Sequence, residues 1–181
     1  DAHVHVMMDG RPDVATAVSD SDYTASYRTA SNLDAAVSAG VTTVRDLGSR
    51  GTLALDADEA VAAGDIPGPR VVACGRNVIM TGGHGNWFGR EADGPAEVRK
   101  AAREQLKAGA DVLKCMATGG VLTEGAVTGA PELTPEELAA FTDAAAPTDT
   151  PTAAHAHGEE GIKNAVEAGI SSIEHGTFMD R

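Results

Sequence analysis

The stretch Ala108-Gly-Ala-Asp-Val-Leu-Lys-Cys115 reads as the end of a helix followed at once by a strand. Gly109 suits the left-handed position that stops a helix, and the apolar residues after it suit a short buried strand that finishes in polar side chains. The same construction returns as Ala39-Gly-Val-Thr-Thr-Val-Arg-Asp46 and as Ala168-Gly-Ile-Ser-Ser-Ile-Glu-His175. Gly40 and Gly109 are 69 residues apart and Gly109 and Gly169 are 60 apart. Each interval therefore holds two units of roughly 30 residues, the length of one β-α step.

Strands for the intermediate units are present. Arg70-Val-Val-Ala-Cys-Gly75 follows the turn Ile66-Pro-Gly-Pro69, and Thr152-Ala-Ala-His155 follows Pro147-Thr-Asp-Thr-Pro151. Pro95 suits the first turn of a helix that presents Val98, Ala101, Ala102, Gln105 and Leu106, and Thr134-Pro-Glu-Glu137 has the form of a capping box. Strands are predicted near residues 2–6, 41–46, 70–74, 111–116, 152–155 and 170–175, alternating with helices. That is about six β-α units of a parallel α/β fold.

An open doubly wound sheet and a closed barrel both satisfy that order. Polar residues separate them: His3, His5, Lys114, His155 and His175 lie toward the C-terminal ends of four different predicted strands, where a (β/α)8 barrel builds its active site. An open sheet gathers ligands at a switch point and not from so many strands. The reading is a partial TIM-type barrel, residues 1–181 forming one incomplete domain.

Composition bounds the function. At 181 residues and 42% hydrophobic, the chain can bury one sizeable core. A net charge of -13 argues against a nucleic-acid partner, which needs clustered Lys and Arg. No apolar run approaches the roughly 18 residues of a membrane span. Cys74 and Cys115 fit no disulfide framework or C-x-x-C motif, so a cytoplasmic setting is expected. Asp1 opens directly into a histidine pair and Arg181 follows Met179-Asp180 without a closing signal, so the chain is expected to be an internal piece of a longer protein.

The histidines carry the chemistry. In His3-Val-His5 and His155-Ala-His157 the imidazoles are two residues apart, and alternate residues of a strand point to one face, so each pair can address one point in space. A bland reading, half-buried histidines with ordinary hydrogen bonds, competes for one such pair but weakens once His175 joins at another strand end. Lys114 ends its strand in a chain with only four lysines. Buried among metal-binding imidazoles it would shift toward the neutral amine, which can take up carbon dioxide as a carbamate with two oxygens to bridge two cations. Counted from the preceding glycine, Lys114 is the fifth residue and His175 the sixth. If the strands begin alike, these two face opposite sides.

Taken in order, Asp1-Ala-His-Val-His5, Ala39-Gly-Val-Thr-Thr-Val-Arg-Asp46, Thr81-Gly-Gly-His-Gly85, Leu113-Lys114 with Ala117-Thr-Gly-Gly120, His155-Ala-His-Gly158 and Ile173-Glu-His-Gly176 resemble the metal-dependent amidohydrolase superfamily, in its imidazolonepropionase-like and prolidase-like branch. The resemblance implies a barrel with two divalent cations, usually zinc. His3 and His5 would hold one, His155 and His175 the other, with carboxylated Lys114 as the bridge. It implies hydrolysis of an amide bond, in a dipeptide or N-acyl amino acid, by a metal-bridging hydroxide. Members also carry a small β domain flanking the barrel and an aspartate on the eighth strand, both outside this sequence. The 181-residue piece alone is therefore expected to be inert and, with unpaired strand edges, to associate as a homo-oligomer.

The remaining candidates are weaker. His157, on the same face as His155, is a candidate catalytic donor to a developing oxyanion or else a solvent-facing imidazole. His84 and Trp87 lie in the Gly-rich loop Met80-Thr-Gly-Gly-His-Gly-Asn-Trp-Phe88 and are expected to bind substrate, against the alternative of a plain connecting loop. Arg45 and Asp46 are expected to form a structural pair, and Glu174 to alternate away from His175 and play a structural part. Two competing functions are a cyclic-amide hydrolase and a non-catalytic barrel piece.

Overall fold

The computed structural model describes residues 1–11 and 14–180, with only the backbone of residues 15–17, so Arg181 lies outside the described residues. Two helices, α1 (Val14–Ser19) and α2 (Asp22–Ser38), precede the first strand, β1 (Thr43–Asp46). Then follow α3 (Leu53–Ala63), β2 (Arg70–Ala73), two short strands β3 (Val78–Ile79) and β4 (Arg90–Glu91), and α4 (Pro95–Lys107). The chain continues with β5 (Leu113–Met116), α5 (Pro135–Ala145), β6 (Thr152–Ala156), α6 (Glu159–Glu167) and β7 (Ser172–His175).

The three Ala-Gly junctions behave as their composition dictates. Ala39, Ala108 and Ala168 are the C-caps of α2, α4 and α6. The glycines after them take φ of +87°, +98° and +83°, where a side chain would be strained. The capping box at α5 is complete: Glu137 N–H donates to Thr134 Oγ1 at 3.3 Å, and Thr134 N–H donates back to the Glu137 carboxylate at 2.7 Å. The same carboxylate accepts from Gly94 N–H at 2.6 Å, which ties the start of α5 to the start of α4.

Among the described residues, the pairings between the named strands are all parallel. β1 pairs with β2, and a second sheet runs β4-β3-β5-β6-β7. The two meet where Asp111 N–H donates to the Ala73 carbonyl at 2.9 Å and Ala73 N–H donates to the Asp111 carboxylate at 3.1 Å. The strand expected at 2–6 shrinks to a single parallel bridge between Val4 and Asp46. Just beyond it the backbone turns, with Met8 N–H donating to the His5 carbonyl at 2.9 Å. Among the described residues five β-α steps and a sixth strand, β7, thus succeed one another as part of a barrel wall. The pair β3 and β4 is an addition, too short for any periodic signal to announce it.

Alternation sorts the side chains. On the outer face Leu113, Cys115, Ala154 and Ala156 pack under α4, α5 and α6, with Val98, Leu138, Phe141 and Ile162 among the buried residues, while Val44, Val71 and Ala73 pack against Leu33, Ala54 and Leu55 of α2 and α3. On the inner face Leu47, Cys74, Val112 and Ala153 form a small apolar floor. The chemistry stands on that floor.

Candidate metal centre

Register places the site. Lys114 lies opposite Ala153, Met116 opposite His155, and His155 opposite Glu174. Partners across parallel strands point the same way, so Lys114, Met116, His155 and Glu174 share the inner face. Simple alternation would then send His175 outward. It does not, because His175 adopts φ of +72°, a left-handed conformation rare for a residue with a side chain, and lines the inner cavity with the others. The one-residue mismatch between Lys114 and His175 is absorbed by that turn at the strand end.

All six histidines of the chain meet there. Ring centroids run His5 to His3 at 5.3 Å, His3 to His175 at 5.0 Å, His175 to His155 at 4.6 Å and His155 to His84 at 4.3 Å. His157 stacks on His175 at 4.8 Å. The rings surround a cavity of about 370 Å³ whose other lining residues are Lys114, Met116, Val121 and Leu122. One nitrogen each from His155, His157 and His175 falls within a 4.8 Å group, the spacing of ligands around one cation.

The hydrogen bonds fix which nitrogens are free. His5 Nδ1 donates to the Gly48 carbonyl at 2.8 Å and His3 Nδ1 donates to Glu174 Oε2 at 2.8 Å, so both rings leave Nε2 with a lone pair. His155 Nε2 is buried with no hydrogen-bond partner among the described residues. A polar atom left that way costs free energy unless something binds it. Burial is the main cause that lowers every one of these imidazoles: His5, His84 and His175 fall to about 4, and His3, His155 and His157 fall as well. At neutral pH the cluster is a set of uncharged donors.

That shift predicts a pH dependence of stability. In the unfolded chain these histidines take up protons near pH 6.5, whereas folded they resist until about 4, so the folded state loses stability as pH falls from 6.5 through 4 and is fully favoured above. Each buried histidine adds a slope of up to about 1.4 kcal/mol per pH unit, and the exposed His175 adds less. Denaturant midpoints that stay level between pH 7 and 5 would contradict it.

Lys114 is 1% exposed, and the hydrogen-bond partner of its Nζ among the described residues is Met116 Sδ at 3.6 Å. A thioether is a weak acceptor and does little for a buried ammonium. Burial accordingly pulls the amine below its ordinary value, toward the neutral form.

Glu174 and Arg45 correct the expectations for both. Glu174 does not alternate away from the site: its carboxylate accepts from His3, from Arg45 Nη2 at 2.7 Å and from Ser172 Oγ at 2.6 Å. Burial by itself would raise that carboxyl, but the bonds from Ser172 and His3 and the Arg45 charge outweigh it and hold it below its usual range. Arg45 therefore pairs with Glu174 across the barrel and not with Asp46. Asp46 is fully buried on the opposite face of β1 and accepts from Val6 N–H at 2.8 Å and Gly48 N–H at 3.1 Å, with burial pushing its carboxyl up to about 6. Composition gave no sign of this cross-barrel network, since its members are 129 and 171 residues apart in the chain.

His84 comes into the cluster from the Gly-rich loop, its Nδ1 2.8 Å from Thr123 Oγ1. Trp87 stands edge-on to His84 at 6.2 Å but does not line the cavity, and packs instead toward Met7, Leu53 and Phe88.

A partial parallel barrel with imidazoles and a buried lysine at the C-terminal ends of its strands defines the class: a barrel protein with a candidate metal site at the mouth of its sheet. The amidohydrolase family profile matches residues 1–181, and the chain belongs to that family. Its structural neighbours are those of the prolidase-like branch. A prolidase complexed with N-methylphosphonate-L-proline is 31% identical with a TM-score of 0.93, over 99% of this chain and 48% of that one. A Xaa-Pro dipeptidase with methionine bound in its active site is 34% identical with a TM-score of 0.92, over 99% and 48%. The ochratoxinase of Aspergillus niger superposes with a TM-score of 0.89 at 31% identity, over 100% of this chain and 47% of that one. In sequence it is 33% identical over 166 residues, 78% of this chain and 34% of the ochratoxinase. The chain thus spans about half the length of the matched structures and a third of the curated relative. Among the described residues no helix is long and apolar enough to cross a membrane.

Proposed function

We propose that the protein to which this chain belongs hydrolyses the amide C–N bond of a dipeptide or an N-acyl amino acid, in the cytoplasm, with two divalent cations, zinc before others. The observation that carries this is the convergence of six neutral imidazoles, one with an orphaned buried nitrogen, around a buried lysine with no adequate partner. Membership of the amidohydrolase family, and neighbours that are prolidases and an ochratoxinase, support it. The free, buried Cys74 and Cys115 support a reducing compartment.

His3 and His5 would hold one cation through Nε2, His155 and His175 the other, and Lys114, carboxylated, would bridge them. Carboxylation needs only carbon dioxide: the neutral Nζ forms the new N–C bond and releases one proton. Bound cations supply an acidified water and a polarised carbonyl at neutral pH. Protein groups orient the rest. Glu174 holds His3 in the tautomer that leaves Nε2 free, and Arg45 fixes Glu174 in turn. His157, its Nδ1 2.6 Å from Thr177 Oγ1, faces the cavity as a donor to the carbonyl oxygen as it gains charge. His84 would position the substrate from the other side, with Trp87 behind it.

The full-length protein, stripped with a chelator and reconstituted, should carry close to two zinc ions per chain and hydrolyse members of an N-acyl amino acid and dipeptide panel. A zinc ratio that stays near zero would sink the metal reading, and activity confined to hydantoin-type rings would replace the linear substrate with a cyclic amide. Glu174→Gln should weaken one of the two zinc ions by about 10- to 100-fold, the usual effect of removing the group behind a ligating histidine. Competition with a graded chelator would show two unequal zinc ions where the unaltered protein gives a tighter pair.

A further inference from the structure

Between β5 and α5 the chain folds back over the cavity as a loop, residues 117–134, closed at its base by bridges from Thr118 to Pro131 and from Gly119 to Thr128. Its tip is pinned as well. Thr123, 6% exposed, accepts from Gly85 N–H at 3.2 Å through the same hydroxyl that meets His84 Nδ1. Gly120 packs so closely on His84 that a Cβ there would collide with the ring. Val121 and Leu122 lie between these two anchors. They are 72% and 57% exposed, yet both line the histidine cavity. Val127 on the same loop is 70% exposed.

Two large apolar side chains set on the cavity wall by a doubly anchored loop are placed to meet a ligand group there. The cavity lining defines its chemistry: beside the imidazoles and Lys114 it offers Met116, Val121 and Leu122, and among the described residues no arginine or carboxylate. We propose that Val121 and Leu122 form the subsite for an uncharged apolar side chain of the substrate, so that the enzyme takes amides carrying an aliphatic or aromatic side chain and discriminates against acidic ones. The inference rests on the amide-hydrolase reading for its substrate class. Its physical basis is that an aliphatic group gains by leaving water against these two residues, while a carboxylate placed there would lose hydration without a partner.

The test uses the full-length, zinc-reconstituted protein. Its kcat/KM should favour N-acetyl-leucine over N-acetyl-aspartate by about tenfold or more, the scale on which apolar pockets discriminate. In the double variant Val121→Ala/Leu122→Ala that ratio should shrink to about threefold or less, through KM more than kcat. Calorimetric binding of unreactive phosphonamidate analogues with a leucine or an aspartate side chain gives the same comparison without turnover. Equal binding of the two analogues, or a preference unchanged in the double variant, would overturn the subsite even if both amides are hydrolysed. Preferential binding of the leucine analogue that the double variant loses, in a protein that hydrolyses no amide, would uphold the subsite and refute the proposed reaction instead. Both side chains are exposed, so the variants keep the buried core that folds the domain, and equal zinc content checks it.

Discussion

Lys114→Ala should cost the full-length enzyme about three orders of magnitude in kcat, the scale of electrostatic stabilisation in a water-excluded site. Alanine removes the side chain proposed to place two carbamate oxygens between the His3/His5 and His155/His175 groups, from a position that is 1% exposed and beyond the reach of bulk water. Propionate or another short carboxylate should restore part of the activity by entering the space vacated. Carbon-13 bicarbonate should give the unaltered protein a carbamate resonance that the variant lacks, which intact-mass spectra can miss because the adduct is labile. A variant within tenfold of the unaltered enzyme, or a fully metallated structure with a plain ammonium on Met116, would refute the bridge.

His157→Asn should lower kcat by about 10²- to 10³-fold while leaving the zinc content at two, if the imidazole is a donor to the oxyanion. The geometry makes this a sharp experiment, because His157 has a nitrogen within the same 4.8 Å group as His155 and His175. Loss of one zinc in the variant would make His157 a ligand and move the oxyanion donor elsewhere. The side chain is half-buried on a strand end and bonded to Thr177, so asparagine can occupy its place without disturbing the core.

Much of the scaffold was legible because it rests on local rules. The three Ala-Gly junctions, the capping box at Thr134 and Pro95 at a helix start each depend on neighbours a few residues away, and all appear where their chemistry requires. The five strand-end residues could be proposed for one site since a barrel delivers every strand's C-terminal end to one face. Strand lengths were less legible: residues 2–6 yield one bridge, and β3 with β4 went unannounced, because a two-residue strand has no period.

The sequence by itself determined a parallel β-α succession and the identity of the groups that meet at its mouth, through spacing and local backbone preference. Only the tertiary structure decided how those groups are aimed. Alternation alone sends His175 away from Lys114, and a left-handed φ of +72° at the strand end brings it back. Glu174 became the support of His3 and, in place of Asp46, the partner of Arg45, since pairing across a barrel depends on register between distant strands. A loop from β5 to α5 set Val121 and Leu122 over the cavity for the same reason: its anchor, Thr123 on His84, joins residues 39 apart that no local pattern connects.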